Sequence, residues 1–124
     1  MKSNPVGWFE IYVKDMPRAK KFYESVFQFE LKPLHGSTEI EMWSFPMDMT
    51  STGAAGTLVK MEGFGGNGNS VIVYFTSSDC SVEEKRVVGA GGKIHKPKMA
   101  IGEYGFISLA VDSEGNIFGL HSMK

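Results

Sequence analysis

The sequence is poor in the features that would take it out of the ordinary globular class. It holds one cysteine, Cys80, in 124 residues. No intrachain disulfide can form, and that fits a reducing cytoplasm. No stretch approaches the roughly 18 consecutive apolar residues of a membrane span. The opening MKSNPVGWFE has one Lys and no apolar core of a secretory leader. Charge of neither sign dominates, with 13 Lys and Arg against 14 Asp and Glu and a formal net charge of -1. With no basic stripe to displace counterions, nucleic acid is excluded as a partner. With no long apolar run, no membrane is expected as a partner either.

Glycine and phenylalanine are plentiful instead, 15 and 9 in this short chain. Glycine supplies turns and close backbone approaches. Phenylalanine fills a core or lines an apolar pocket. One domain of this length buries about two-thirds of its unfolded surface and needs no staple.

Alternation predicts a first strand over Val6 to Val13, with Trp8, Glu10 and Tyr12 on one face and Phe9, Ile11 and Val13 on the other. A helix follows, with Asp15 as N-cap and Pro17 in its first turn. Ala19, Phe22, Tyr23, Val26 and Phe27 give it an apolar stripe. Strand-like segments come next at Phe29 to Leu34, Glu39 to Phe45 and Gly56 to Met61. After the glycine-rich break GFGGNGN over Gly63 to Asn69, the pattern restarts. Val71 to Thr76 reads as a strand. Asp79 and Ser81 open a helix, with Ser81 and Glu84 spaced as a capping box, and Gly89, Gly91 and Gly92 close it. Lys93 to Lys96, Tyr104 to Val111 and Ile117 to Ser122 complete the set, the last two joined by the turn Asp112 to Asn116. The chain thus reads as two βαβββ modules, about 4–62 and about 70–124, with a linker at 63–69, in a single domain of the α+β class.

Val13-Lys14-Asp15-Met16 followed by Arg18-Ala19 and by Phe22-Tyr23 and Val26-Phe27 resembles the first module of the vicinal-oxygen-chelate superfamily, which holds glyoxalases, bleomycin-resistance proteins and extradiol dioxygenases. Asp112, Glu114-Gly115-Asn116 and Phe118-Gly119-Leu120 resemble its C-terminal signature. Gly91-Gly92-Lys93-Ile94 with Pro97, then Gly102 and Gly105-Phe106, also fit. The resemblance covers nearly the whole chain, and is greatest to the branch of predicted enzymes described as related to lactoylglutathione lyase. It implies paired modules whose eight strands form an open cup, often completed in a homodimer, with a divalent ion on the floor of metal-dependent members.

That resemblance also supplies a metal test. The first-module ligand, usually His or Gln, stands seven residues before the helix-opening Asp; here that residue is Trp8. Its counterpart before Asp79 is Ile72. The last-strand ligand, usually Glu, is replaced by Gly119. The remaining position falls near Leu58 or Gly56. None of these side chains offers a lone pair to zinc or to a hard divalent ion. The expectation is no cofactor and no metal. A relocated divalent ion on Glu10 and His121 is the disfavoured option, because a catalytic site needs about three protein ligands.

Other signals have plainer readings. Gly63, Gly65 and Gly68 match the letters of a dinucleotide fingerprint, but a strand follows where a helix is needed. His35 and His95 occupy corresponding places in the two halves, either as polar strand ends or as a pair suited to proton transfer. Glu10 is either held by a structural partner or a general base. Cys80 reads as structural.

Three functions compete. The first is a metal-free protein binding a small apolar or aromatic molecule, with Trp8, Tyr12, Met42, Tyr74, Tyr104 and Phe106 lining the cup. The second is a lyase or isomerase of glyoxalase ancestry in which Glu10 and His121 are the catalytic pair. The third is a regulatory or interaction module whose cup is filled. Whether the chain is an enzyme stays open at this point.

Overall fold

The computed structural model describes residues 4–35, 39–63 and 70–124. The glycine-rich fingerprint at Gly63 to Gly68 lies largely outside them. Two copies of one five-element unit follow each other. The first is β1 (Val6–Tyr12), α1 (Met16–Phe27), β2 (Lys32–Leu34), β3 (Ile40–Ser44) and β4 (Ala55–Met61). The second is β5 (Val71–Thr76), α2 (Cys80–Val87), β6 (Lys93–Ala100), β7 (Phe106–Val111) and β8 (Ile117–Ser122), with a short 3-10 turn at Gly102–Tyr104 before β7. The strands follow one another along an open mixed ladder in the order β2-β3-β4-β1-β5-β8-β7-β6. The fold is α+β, with the repeated βαβββ order that the sequence predicts.

By packing, the chain divides into two compact units. One is Phe9–Val71; the other is Ile72–Lys124 together with the residues through Trp8. Strand β1 therefore begins in one unit and ends in the other.

In the Phe9–Val71 unit, α1 starts where Asp15 accepts the Arg18 N–H at 3.0 Å, with Pro17 in its first turn. It ends at Gln28, which adopts the left-handed conformation at φ 57. The helix buries Met16 against Leu31 and Leu58, and Ile11, Val13, Ala19, Tyr23, Trp43 and Phe45 pack around that centre. Phe45 gathers Phe9, Tyr23 and Phe29 at ring separations of 5.5 to 5.7 Å. Only part of the predicted apolar stripe is covered: Phe22, Val26 and Phe27 are more than half exposed. The predicted strand from Phe29 shortens to Lys32–Leu34. The residues before it are drawn to the helix instead, as the Leu31 N–H bonds to Glu24 Oε2 at 2.8 Å and Phe29 stacks with Phe27.

In the other unit, the helix begins two residues earlier than a Ser81 cap would set it. Asp79 is the cap and accepts from both the N–H and the hydroxyl of Ser81, at 3.0 and 2.7 Å. The expected capping box therefore does not form. Glu84 takes the Lys98 N–H instead, at 2.8 Å, and ties α2 to β6. Strand β6 runs to Ala100, past the predicted end at Lys96. It pairs with β7 alone, so Pro97 removes no inner ladder bond, and the register shifts on either side of Lys96. Strand β7 starts at Phe106 and not at Tyr104, because Gly105 takes a φ of 97. Asp112 holds the β7–β8 turn by accepting the N–H groups of Glu114 and Asn116, at 2.8 and 2.9 Å.

Candidate functional site

Each unit has one sheet face under its helix and one that is free of it. Strand alternation assigns the residues. In the Phe9–Val71 unit, Phe9 and Ile11 of β1, and Val13 just after it, face α1, so Glu10 and Tyr12 lie on the opposite face. On β4, Leu58 belongs to the core under α1, and a Cβ at Gly56 would collide with the Phe9 ring. Both of the positions named for a β4 ligand therefore point at the helix side. The helix-free face carries Thr57 and Val59.

The register across these strands is readable. Phe9 lies against Gly56, and the Val13 N–H bonds to the Val59 carbonyl at 2.9 Å. The two strands thus run in the same direction, with Glu10 beside Thr57 and Tyr12 beside Val59. Thr57 pairs with Ser44, and Val59 with Met42, on β3. The helix-free face holds a polar row, Glu10, Thr57 and Ser44, and then an apolar row of Tyr12, Val59 and Met42. All three members of the polar row are buried, at 9, 0 and 8% exposure.

Glu10 accepts the Tyr12 phenol at 2.7 Å. The Ser44 hydroxyl donates to the Phe45 carbonyl at 2.7 Å. The Thr57 hydroxyl is the one buried side-chain polar atom among the described residues with no hydrogen-bond partner. Sequence reasoning missed Thr57 and Ser44. The parity of β4 would have shown Thr57, had the burial of Leu58 under α1 been given its due.

On β5, β7 and β8, the helix-free face of the other unit carries one aromatic residue, Tyr74, among the described residues. Tyr74 pairs with Gly119, and Thr76 with His121, in the parallel β5–β8 ladder. Tyr74 is 5% exposed and its ring lies directly on Gly119: a Cβ there would overlap Cδ2 and Cε2 and stand 2.9 Å from Cγ. Glu10 and Tyr74 each precede a helix cap, Asp15 and Asp79, by five residues. The two modules thus present a carboxylate and a phenol at equivalent positions.

His121 Nε2 lies 2.6 Å from the Tyr104 carbonyl. A carbonyl only accepts, so this nitrogen carries the proton and a neutral ring keeps its lone pair on Nδ1. Tyr104 thus touches His121 through its backbone, while the residue is about half exposed. Trp8 is half-buried on β1, on the parity of Glu10 and Tyr12.

Phe106 corrects the expectation. It pairs with Ser122, whose hydroxyl accepts the Cys80 N–H at the start of α2, and its ring lies 4.7 Å from Lys98 Nζ. It faces α2 and does not share the face of Tyr74 and His121. His35 follows β2, and His95 is exposed on β6.

A divalent ion does not fit the residues at the positions the resemblance names. Trp8, Ile72 and Gly119 donate nothing, the β4 candidates point into the core, and the Tyr74 ring fills the room above Gly119. Among the described residues no three His, Cys, Asp or Glu side chains gather, and no helix is long and apolar enough to cross a membrane.

Solved structures share this fold. A methylmalonyl-CoA epimerase variant from Streptomyces coelicolor, in complex with 2-nitronate-propionyl-CoA, superposes with a TM-score of 0.70 at 16% identity, covering 98% of this chain and 95% of that one. The methylmalonyl-CoA epimerase of Mycobacterium tuberculosis gives 0.68 at 13% identity, covering 100% and 92%. An uncharacterized protein from Methanosarcina mazei gives 0.62 at 14% identity, covering 100% and 95%. The sequence matches none of the curated proteins. The model of the Glyoxalase/Bleomycin resistance protein/Dioxygenase superfamily matches residues 6–120, nearly the whole chain, and with the doubled βαβββ order it shows that this protein belongs to that superfamily.

Proposed function

We propose that the chain is a metal-independent member of its superfamily that binds a small apolar or aromatic molecule on a helix-free sheet face. The observation that carries this reading is the Tyr74 ring on Gly119. It replaces a potential donor with an aromatic surface, and an apolar site with a few polar groups is the usual small-molecule pocket. In the same unit Trp8 adds apolar area and Tyr104 a more exposed ring; in the other unit Tyr12 and Met42 give its helix-free face an apolar row of its own. Phe106 is left out because it faces α2. Fold relatives with bound CoA esters support a small-molecule role in general and not a particular ligand. A homodimer belongs to the same reading, supported by the exposed Phe22, Val26 and Phe27 of α1 and checked by light scattering.

Two measurements test it. Purified protein incubated separately with Zn, Ni, Mn and Fe(II) is expected to retain none after gel filtration. Toluene and indole are expected to raise the melting temperature. One equivalent of tightly held metal, or melting indifferent to every apolar probe, would defeat the reading.

The Tyr12–Glu10 bond favours a second reading, a lyase or isomerase of glyoxalase ancestry. A largely buried carboxylate fixed by a phenol is a fitting general base, and His121 Nδ1 is a second proton acceptor on its own unit. Glu10→Gln keeps the shape and removes the base. If turnover of a substrate were found and E10Q retained it in full, this reading would be lost.

A further inference from the structure

The Thr57 hydroxyl poses a specific chemical question. It is fully buried and has no partner among the described residues. A buried hydroxyl left unpaired costs about 1–3 kcal/mol, so such atoms are rare unless something outside the chain completes them. Its register neighbours do not complete it. Ser44, across the β3–β4 pair, directs its hydroxyl to the Phe45 carbonyl. Glu10, across from it on β1, takes the Tyr12 proton.

We propose that Thr57 Oγ1 is the anchor for the polar end of a ligand, and that this end is a hydrogen-bond donor, a hydroxyl or an amino group, carried on an apolar or aromatic body. The inference rests on the small-molecule reading above and names the class of molecule. The chemistry follows from the row. Thr57 both donates and accepts, and the Glu10 carboxyl already accepts from Tyr12. A group placed beside both must bring a proton. A carboxylate or phosphate there would set its acceptor oxygens against those of Glu10, which is largely buried. The next row, Tyr12, Val59 and Met42, is largely apolar and suits the body of the molecule. Access has a structural basis too. Met42 borders an open surface depression of about 620 Å3 along β2 and β3, and an unbranched methionine repacks readily.

The test uses four probes of one shape: benzylamine, benzyl alcohol, benzoate and toluene, titrated calorimetrically into the full chain. Wild type is expected to bind the amine and the alcohol at least fivefold more tightly than benzoate. Thr57→Val is expected to weaken the amine and the alcohol by about fivefold, the range of one net hydrogen bond, and to leave toluene unchanged. It is also expected to melt no lower than wild type, since it removes an unpaired group. Thr57→Ser, which keeps the hydroxyl, is expected to retain the preference for donors and guards against a Val variant that fails to fold. Benzoate binding as tightly as benzylamine would overturn the inference. So would a T57V variant that binds the alcohol as wild type does, which would leave the hydroxyl with a buried water only. In both of those cases toluene still binds and the broader reading stands; if no probe binds, toluene included, both fall together.

Discussion

The Tyr12 phenol donates a 2.7 Å hydrogen bond to Glu10 Oε1, two residues back on the same strand. The spacing of two puts both side chains on one face of β1, and the bond holds a carboxylate of 9% exposure in one orientation. Hydrogen bonds to charged groups contribute about 1.5–3 kcal/mol, and Tyr12 is itself only half-buried. Tyr12→Phe is therefore expected to lower the unfolding free energy by about 1–2 kcal/mol at neutral pH, read by urea denaturation. A variant as stable as wild type would show that water replaces the phenol at no cost.

Gly119 and Tyr74 form the second testable pair. A Cβ at 119 would overlap the Tyr74 ring, and Tyr74 is itself buried, so the ring has little room to withdraw. Gly119→Ala is expected to destabilise by about 1–3 kcal/mol, the usual result of overpacking. The coupling is the sharper readout: in a Tyr74→Ala background the same alanine is expected to cost much less, because neighbours that clash are not additive. Equal costs in the two backgrounds would mean that Tyr74 does not occupy the space above Gly119.

Much of this was legible from residue types alone. Asp15 and Asp79 each close a strand and cap a helix, and that pair marks the repeat. Strands β5 and β8 run over the residues that alternation predicts, Val71–Thr76 and Ile117–Ser122. The misses have physical causes. Phe29 and Leu31 look like strand residues, yet the aromatic cluster and Glu24 hold them beside α1. Ser81 looks like a cap, yet Asp79 offers the better acceptor two residues earlier and leaves Glu84 to Lys98. Phe106 looks like a cup residue because unbroken alternation from Tyr104 puts both rings on one face; the break at Gly105 and the pairing with Ser122 put its ring on the α2 side. The candidate site was visible only in part. Glu10 and Tyr12 follow from alternation, and the parity of β4 points to Thr57 once Leu58 is placed under α1, but that Thr57 stands beside Glu10 requires the register between β1 and β4, which no single segment encodes.

Ser122 joins the start of α2 to the end of β8. Its hydroxyl accepts the Cys80 N–H at 3.0 Å and donates to the Lys124 carbonyl at 3.0 Å. Both Cys80 and Ser122 are at most 1% exposed. Ser122→Ala would strand a buried N–H, which costs about 1–3 kcal/mol, and the loss is expected in thermal and chemical denaturation alike. The same burial shields the thiol, as structural cysteines are shielded. Cys80 is expected to react with a disulfide reagent only once denaturant unfolds the chain. Rapid labelling of the native protein would contradict the placement of both residues.

The N-cap Asp79 ties stability to acid. The Lys98 ammonium, bonded to its Oδ1 at 2.8 Å, is the main cause that holds its carboxyl far below the ordinary 3.8, followed by the hydroxyl and N–H of Ser81. A carboxyl whose folded pKa is depressed stabilises the fold fully above its unfolded value, and that contribution is lost as pH falls below it toward the folded value. Asp79→Asn keeps an amide oxygen for the cap but removes the charge that Lys98 sees. The stability gap between wild type and D79N is thus expected to stay level from pH 8 down to about 5 and to narrow below about 4. Lys98→Met should show the same window, since it removes the other half of the pair. Chemical denaturation of the three proteins across this pH range reads the result. A gap that persisted undiminished to pH 2.5 would mean that neutral hydrogen bonds to Ser81, and not the ion pair, account for what Asp79 contributes.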